Sequence, residues 1–187
     1  YTLPANHELT MVFTFHHLKV DYANGEKWTK APFDFMKLKQ ILNDWQIGMA
    51  KGGGWNALFW NNHDQPRALN RFGDPVHYRA KSAEMLATTM HLLRGTPYIY
   101  MGEEIGMSDP DYTSMADYVD IECKNAYKEL LAAGKSATEA FEIVKTKSRD
   151  NSRTPMQWDN SEYAGFSTHK PWLMPTNQAE VNVKDEL

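Results

Sequence analysis

The apolar positions of this chain fall into two kinds of run that alternate along it. Three short segments are almost continuously apolar and rich in aromatic or β-branched side chains: Met11-Val12-Phe13-Thr14-Phe15, Ala57-Leu58-Phe59-Trp60 and Tyr98-Ile99-Tyr100-Met101. Their starts lie 46 and 41 residues apart. Unbroken apolarity over so few residues is the pattern of strands buried on both faces of a parallel sheet, and the three are predicted as such. Between them the period lengthens to that of a helix. Phe35, Leu38, Ile41, Leu42 and Trp45 share a face behind Asp34 as N-cap, and Gly48 with Lys51-Gly52-Gly53-Gly54 ends the run. A second helix, from about Tyr78 to Leu93, carries Ala83, Leu86, Met90 and Leu93 on one side and is stopped by Gly95 and Pro97. Strand, helix, strand, helix, strand is the order of a parallel α/β architecture.

Beyond the third strand the pattern changes. Residues 102–118 read as a loop, and helices follow at about 121–133 and 137–148, the second opened by Ser136 and Glu139 as a capping box. From Arg149 the chain is turn-rich, aromatic and aperiodic. The sequence therefore divides into β/α units over 1–104 and a long excursion over 105–187, and long excursions from a sheet or barrel are usually functional or disordered. Three strands are few for an α/β domain, so the pattern fits either a small unit or part of a larger one.

Composition narrows the field. Twenty basic against 24 acidic side chains in 187 residues leave a net charge of −4 with no basic stripe, which argues against nucleic acid as a main partner. An apolar fraction of 42% suits a packed core. No run approaches the roughly 20 apolar residues of a membrane-spanning helix. Cys123 is the single cysteine, so neither an intrachain disulfide nor a cysteine zinc cluster is expected, and the predicted location is cytoplasmic. The final Lys184-Asp185-Glu186-Leu187 matches an endoplasmic-reticulum retention signal, but nothing else points to the secretory path, and an arbitrary cut is the plainer reading.

Three stretches carry chemistry. Phe59-Trp60-Asn61-Asn62-His63-Asp64-Gln65-Pro66-Arg67 follows the second strand, where β/α folds place their reactive groups. A carboxylate beside an imidazole and amides is suited to gripping vicinal hydroxyls; a plain helix-capping turn explains the same residues with equal weight. Gly102-Glu103-Glu104 places acids after the third strand, where a solvated turn is the favoured reading. Arg149-Asp150-Asn151-Ser152-Arg153 through Trp158 combines two guanidinium groups with an aromatic ring; it suits a sugar pocket or a surface loop pinned by an ion pair. His16-His17 lacks metal-ligand spacing, and there is no phosphate loop or serine elbow, so no cofactor and no metal are expected. Trp45, Trp55 and Trp60 are expected in the core.

Taken together, WNALFWNNHDQPR, RGTPYIYMGEEIGM, NSRTPMQW and Ala164-Gly165-Phe166 resemble the α-amylase superfamily (glycoside hydrolase family 13), in its oligo-1,6-glucosidase and dextran glucosidase branch. The resemblance runs through most of the chain. It implies a (β/α)8 barrel of which these are the sixth to eighth strands, since 187 residues fall short of the roughly 250 of a bare barrel. It implies that Asp64 is the family's transition-state-stabilising carboxylate. It also implies that His63 is the substrate-binding histidine beside that carboxylate, that Arg153 lines the −1 glucose pocket, and that Glu122 lies near the +1 sugar. The nucleophilic Asp and acid/base Glu would lie upstream of Tyr1, so the chain alone is expected to be inactive. The implied partner is an α-glucan oligosaccharide, cleaved at α-1,6 bonds. Trehalose-6-phosphate hydrolase is the close alternative, and a non-catalytic amylase-like domain, for sugar binding or as a transporter heavy chain, the distant one. Exposed barrel edges would let the chain self-associate.

Overall fold

Parallel pairing organises the first half of the structure, a computed structural model that describes residues 1–186; Leu187, the last residue of the Lys-Asp-Glu-Leu tetrapeptide, lies outside them. Strands β1 (Val12–Phe13), β2 (Asn56–Leu58) and β3 (Thr96–Pro97) form one parallel sheet in the order β1-β2-β3. Val12 pairs with Asn56 and Phe13 with Ala57; Ala57 pairs with Thr96 and Leu58 with Pro97. The strands are shorter than their apolar runs, and the third is displaced: Tyr98–Met101 lies past β3 rather than in it. Proline contributes no N–H to a ladder, yet β3 is an edge strand, where proline is tolerated. The pairing with β2 does not call on that position: the ladder bond past Pro97 comes from the Tyr98 N–H, 2.7 Å from the Leu58 carbonyl.

Two helices bridge the strands. Helix α1 (Phe35–Gly52) is capped by Asp34, whose carboxylate accepts from the Lys37 N–H, and ends on Gly53 at a φ of 68°. After β2 come a short helix α2 (Ala68–Phe72) and then α3 (Arg79–Leu92). Two compact units result. The first joins Tyr1–Trp60 to Glu84–Ile99, and the second joins Asn61–Ala83 to the chain from Tyr100 onward.

Within the first unit, Ile41, Leu42 and Trp45 of α1 and Met90 of α3 surround Asn56 and Leu58 on one sheet face. α1 and α3 thus both line that face. The other face is aromatic: the Phe13 ring lies 5.4 Å from Phe59 and 4.8 Å from Tyr98. Phe59 is buried, but Phe13, Phe15, Tyr98 and Ile99 are exposed, which corrects the expectation of burial on both faces. Trp60 is buried with its indole N–H on the Leu86 carbonyl. Trp55 is not in the core as expected; it lies on the open face, under the Arg94 guanidinium, and Trp45 is half-buried.

In the second unit, α4 (Ile121–Ala132) and α5 (Ala137–Lys147) pack together through Cys123, Ala126, Ala140, Ile143 and Val144. The Ser136–Glu139 capping box opens α5 as its residue spacing requires. The aperiodic tail is packed rather than loose. Ala164, Leu173, Val181 and Asn182 are buried, the Gln157 amide donates to the Val181 carbonyl at 2.6 Å, and a short α6 (Val183–Glu186) follows. Among the described residues no helix is long and apolar enough to cross a membrane.

Candidate functional site

All the site residues lie in the second unit, and two short segments build it: the loop 61–67 and the 3-10 turn Arg149–Ser152 with Arg153 after it. The two asparagines of the first segment shape the loop. Asn61 Oδ1 accepts from the Ala68 N–H at the start of α2, and Asn62 Oδ1 accepts from the Asp64 N–H at 2.8 Å. The capping reading and the chemical reading of this motif are thus divided between its residues: the amides hold the turn, and the Asp64 carboxylate is left out of it. The second segment clips onto the first. Ser152 Oγ donates to the Asn62 carbonyl at 2.9 Å, and Arg153 Nε to the His63 carbonyl at 2.7 Å.

Asp64 is bound asymmetrically. Its Oδ1 accepts from Arg149 at 3.2 Å and from Arg153 at 3.0 Å, whereas Oδ2 faces His63 Nε2 at 3.3 Å. The Asp64 side chain is 46% exposed, so the carboxylate is open to a ligand. His63 is more exposed still.

Glu122 joins the same cluster through Arg149, 3.4 Å from its Nε. The four residues singled out from the sequence therefore come together in one cluster: His63 and Arg153 meet Asp64 directly, and Glu122 is joined to it through Arg149. Two members of the cluster were not among them. From its stretch alone Arg149 is only one of two guanidinium groups, and Asp120 carries no motif of its own. The Asp120 side chain, only 6% exposed, takes both Nε and the second terminal nitrogen of Arg149. Arg149 holds the Asp120 carboxyl below the usual range, and in return its own pKa rises. What brings them together is Asp150, whose Oδ2 accepts from the backbone N–H groups of Val119 and Asp120, both at 2.9 Å. Sequence offers one clue to Asp120: it is the N-cap of α4, accepting from the Glu122 N–H.

The Arg67 of the first motif has a different job. It is 1% exposed, and its guanidinium donates to the Met101 carbonyl at 2.6 Å and the Ser152 carbonyl at 3.4 Å. Its backbone N–H donates to Asp109 at 2.8 Å. Arg67 thereby ties three segments that frame the site, and it does not reach Asp64's cluster in any hydrogen bond or ion pair found among the described residues. Gly102 lies beside it at a φ of 87°, where a Cβ would collide with the Met107 sulfur. The Glu103 of the second motif is partly buried rather than a fully solvated turn residue; burial raises its pKa, and it accepts from the Tyr100 N–H. Glu104 is exposed. Among the described residues no cluster of His, Cys, Asp or Glu is arranged to hold a metal ion.

Fold and site together define a parallel β/α protein whose loop after β2 carries a half-exposed, guanidinium-held carboxylate. Residues 1–187 match the model of the alpha-amylase catalytic domain. The chain belongs to the α-amylase catalytic-domain family. It is 56% identical to the trehalose-6-phosphate hydrolase of Bacillus subtilis strain 168 and 50% identical to the oligo-1,6-glucosidase of Parageobacillus thermoglucosidasius, each covering the whole chain. The crystal structure of Bacillus licheniformis trehalose-6-phosphate hydrolase superposes with a TM-score of 0.95 at 58% identity over 99% of the chain. The chain spans 34% of the length of each of these proteins.

Burial pushes the Asp109 carboxyl up to about 7, against the opposing pull of the Arg67 N–H and guanidinium. A raised carboxyl pKa means that the folded state keeps a proton the unfolded chain releases, so its contribution to stability falls as pH rises from about 4 to about 7. Asp109→Asn is expected to flatten that fall, read as the urea midpoint against pH; an unchanged slope would remove Asp109 as its source.

Proposed function

We propose that this chain is part of a retaining α-glucosidase in which Asp64 binds sugar hydroxyls and stabilises the transition state. The observation that carries the reading is the asymmetric binding of Asp64, with Oδ1 held by two guanidinium groups and the half-exposed side chain presenting Oδ2 beside His63. In glycoside cleavage the ring gains oxocarbenium character, and hydrogen bonds to its hydroxyls strengthen in the transition state. A carboxylate fixed on one side and open on the other accepts those bonds without first reorganising. His63 and Arg153 complete the floor of the glucose pocket, and Glu122 lies toward the leaving sugar.

In this reading β1, β2 and β3 are the sixth, seventh and eighth strands of a (β/α)8 barrel, and the chain beyond 104 is the excursion after the last of them. The nucleophile and the acid/base carboxylate lie upstream, so hydrolysis belongs to the full-length cytoplasmic enzyme rather than to this chain alone. The resemblance in the motifs puts isomalto-oligosaccharides first among substrates. The identities of 56% and 58% to trehalose-6-phosphate hydrolases, against 50% to an oligo-1,6-glucosidase, favour the phosphorylated disaccharide instead.

For the full-length protein, kcat/KM is expected to be higher for trehalose 6-phosphate than for isomaltose in a direct competition; the reverse order would return the assignment to the α-1,6-glucosidases. Asp64→Asn is expected to lower kcat by roughly 10³-fold, because it weakens an interaction that strengthens in the transition state. A variant with near-normal kcat would take Asp64 out of the reaction.

A further inference from the structure

Arg149 pairs with Asp120 and Glu122, at the start of α4, and with Asp64 of the loop 61–67. Its side-on edge, Nε and the second terminal nitrogen, lies on Asp120, and only its first terminal nitrogen reaches Asp64. An end-on grip of a carboxylate needs both terminal nitrogens at once. Asp120 therefore holds one of the two that Arg149 would need to cover both oxygens of Asp64. Arg153 donates to the same Oδ1 as Arg149, so neither guanidinium is on Oδ2.

Asp120 is itself firmly placed. It is the N-cap of α4, its backbone N–H is held by the buried Asp150, and its carboxylate is almost without solvent contact. Glu122 adds a second negative charge to the same side of Arg149. Both carboxylates that share Arg149 with Asp64 lie on the first turn of α4 or just before it.

We propose that Asp120 is a positioning residue: by taking the side-on edge of Arg149 it keeps that guanidinium from closing over both oxygens of Asp64, and so holds Oδ2 open for sugar hydroxyls. The inference rests on the reading of Asp64 as the hydroxyl-binding carboxylate. Released from Asp120, Arg149 grips Asp64 end-on, and a sugar must break that grip before binding. Once the sugar is bound, the site is the same as before. The cost therefore falls on KM and not on kcat.

The test uses the full-length enzyme and whichever of trehalose 6-phosphate and isomaltose it turns over faster. Asp120→Asn keeps an N-cap of equal quality while losing the charge. It is expected to raise KM about tenfold, the loss of a charge-assisted pair, with kcat changed less than about threefold. Asp120→Ser, also a good cap, gives the same split and covers the case in which the asparagine variant fails to fold. A lysine cannot grip a carboxylate end-on, so in an Arg149→Lys background Asp120→Asn should add less than about twofold to KM. An unchanged KM in both Asp120 variants overturns the proposal. So does an equal rise in the lysine background, which would mean that Asp120 acts by another route. A wild-type enzyme that turns over neither sugar refutes the glucosidase reading and this inference with it, whereas flat Asp120 variants of an active enzyme refute this inference alone.

Discussion

A carboxylate shared by two guanidinium groups is the interaction on which the site depends. Asp64 sits in the middle of the loop 61–67, which two asparagine side chains shape and the buried Arg67 anchors at its far end. Arg149 and Arg153 reach it from a segment more than 80 residues further along the chain, and Ser152 between them clips the backbone of the same loop. Pairs of this kind on an exposed surface contribute little, because water competes for every bond. Here the guanidinium groups are about 70% covered and the bonds converge on one oxygen, so the geometry is set by several contacts at once. The consequence is direction: one side of the carboxylate is committed to protein and the other is not.

Around that interaction the structure is a set of nested supports. Asp150, itself buried, fixes the backbone of Val119 and Asp120; Asp120 fixes Arg149; Arg149 and Arg153 fix Asp64. Arg67 performs the same service from below, binding carbonyl oxygens of Met101 and Ser152 from a fully buried position. Removing one partner from a buried, hydrogen-bonded charge leaves the other unsatisfied, at a cost of about 3–5 kcal/mol. The polar interior of this unit is thus a chain of groups that need one another, and its outermost member is the carboxylate that faces solvent.

The parts of this arrangement that are local were legible in the sequence. The N-caps Asp34 and Ser136, the glycine that ends α1, and the parallel order of the strands follow from spacing over a few residues. Asp64, His63 and Arg153 were legible through the resemblance of their motifs, and they do meet. Asp120 was not, because its partner lies 29 residues away and no local spacing encodes such a contact. The third strand was placed two residues late because Pro97 reads as a stop signal, although an edge strand accommodates it. Apolarity predicts burial of both sheet faces but goes no further: apolar side chains record that a face is to be covered, not which segment covers it. Phe13 and Tyr98 are apolar and exposed together.

The most direct test of this account is a crystal structure of the full-length protein with glucose bound. The account predicts a ring hydroxyl within hydrogen-bonding distance of Asp64 Oδ2, with Oδ1 still on Arg149 and Arg153. Glucose bound elsewhere, or Asp64 turned away with both oxygens on the two arginines, would contradict it.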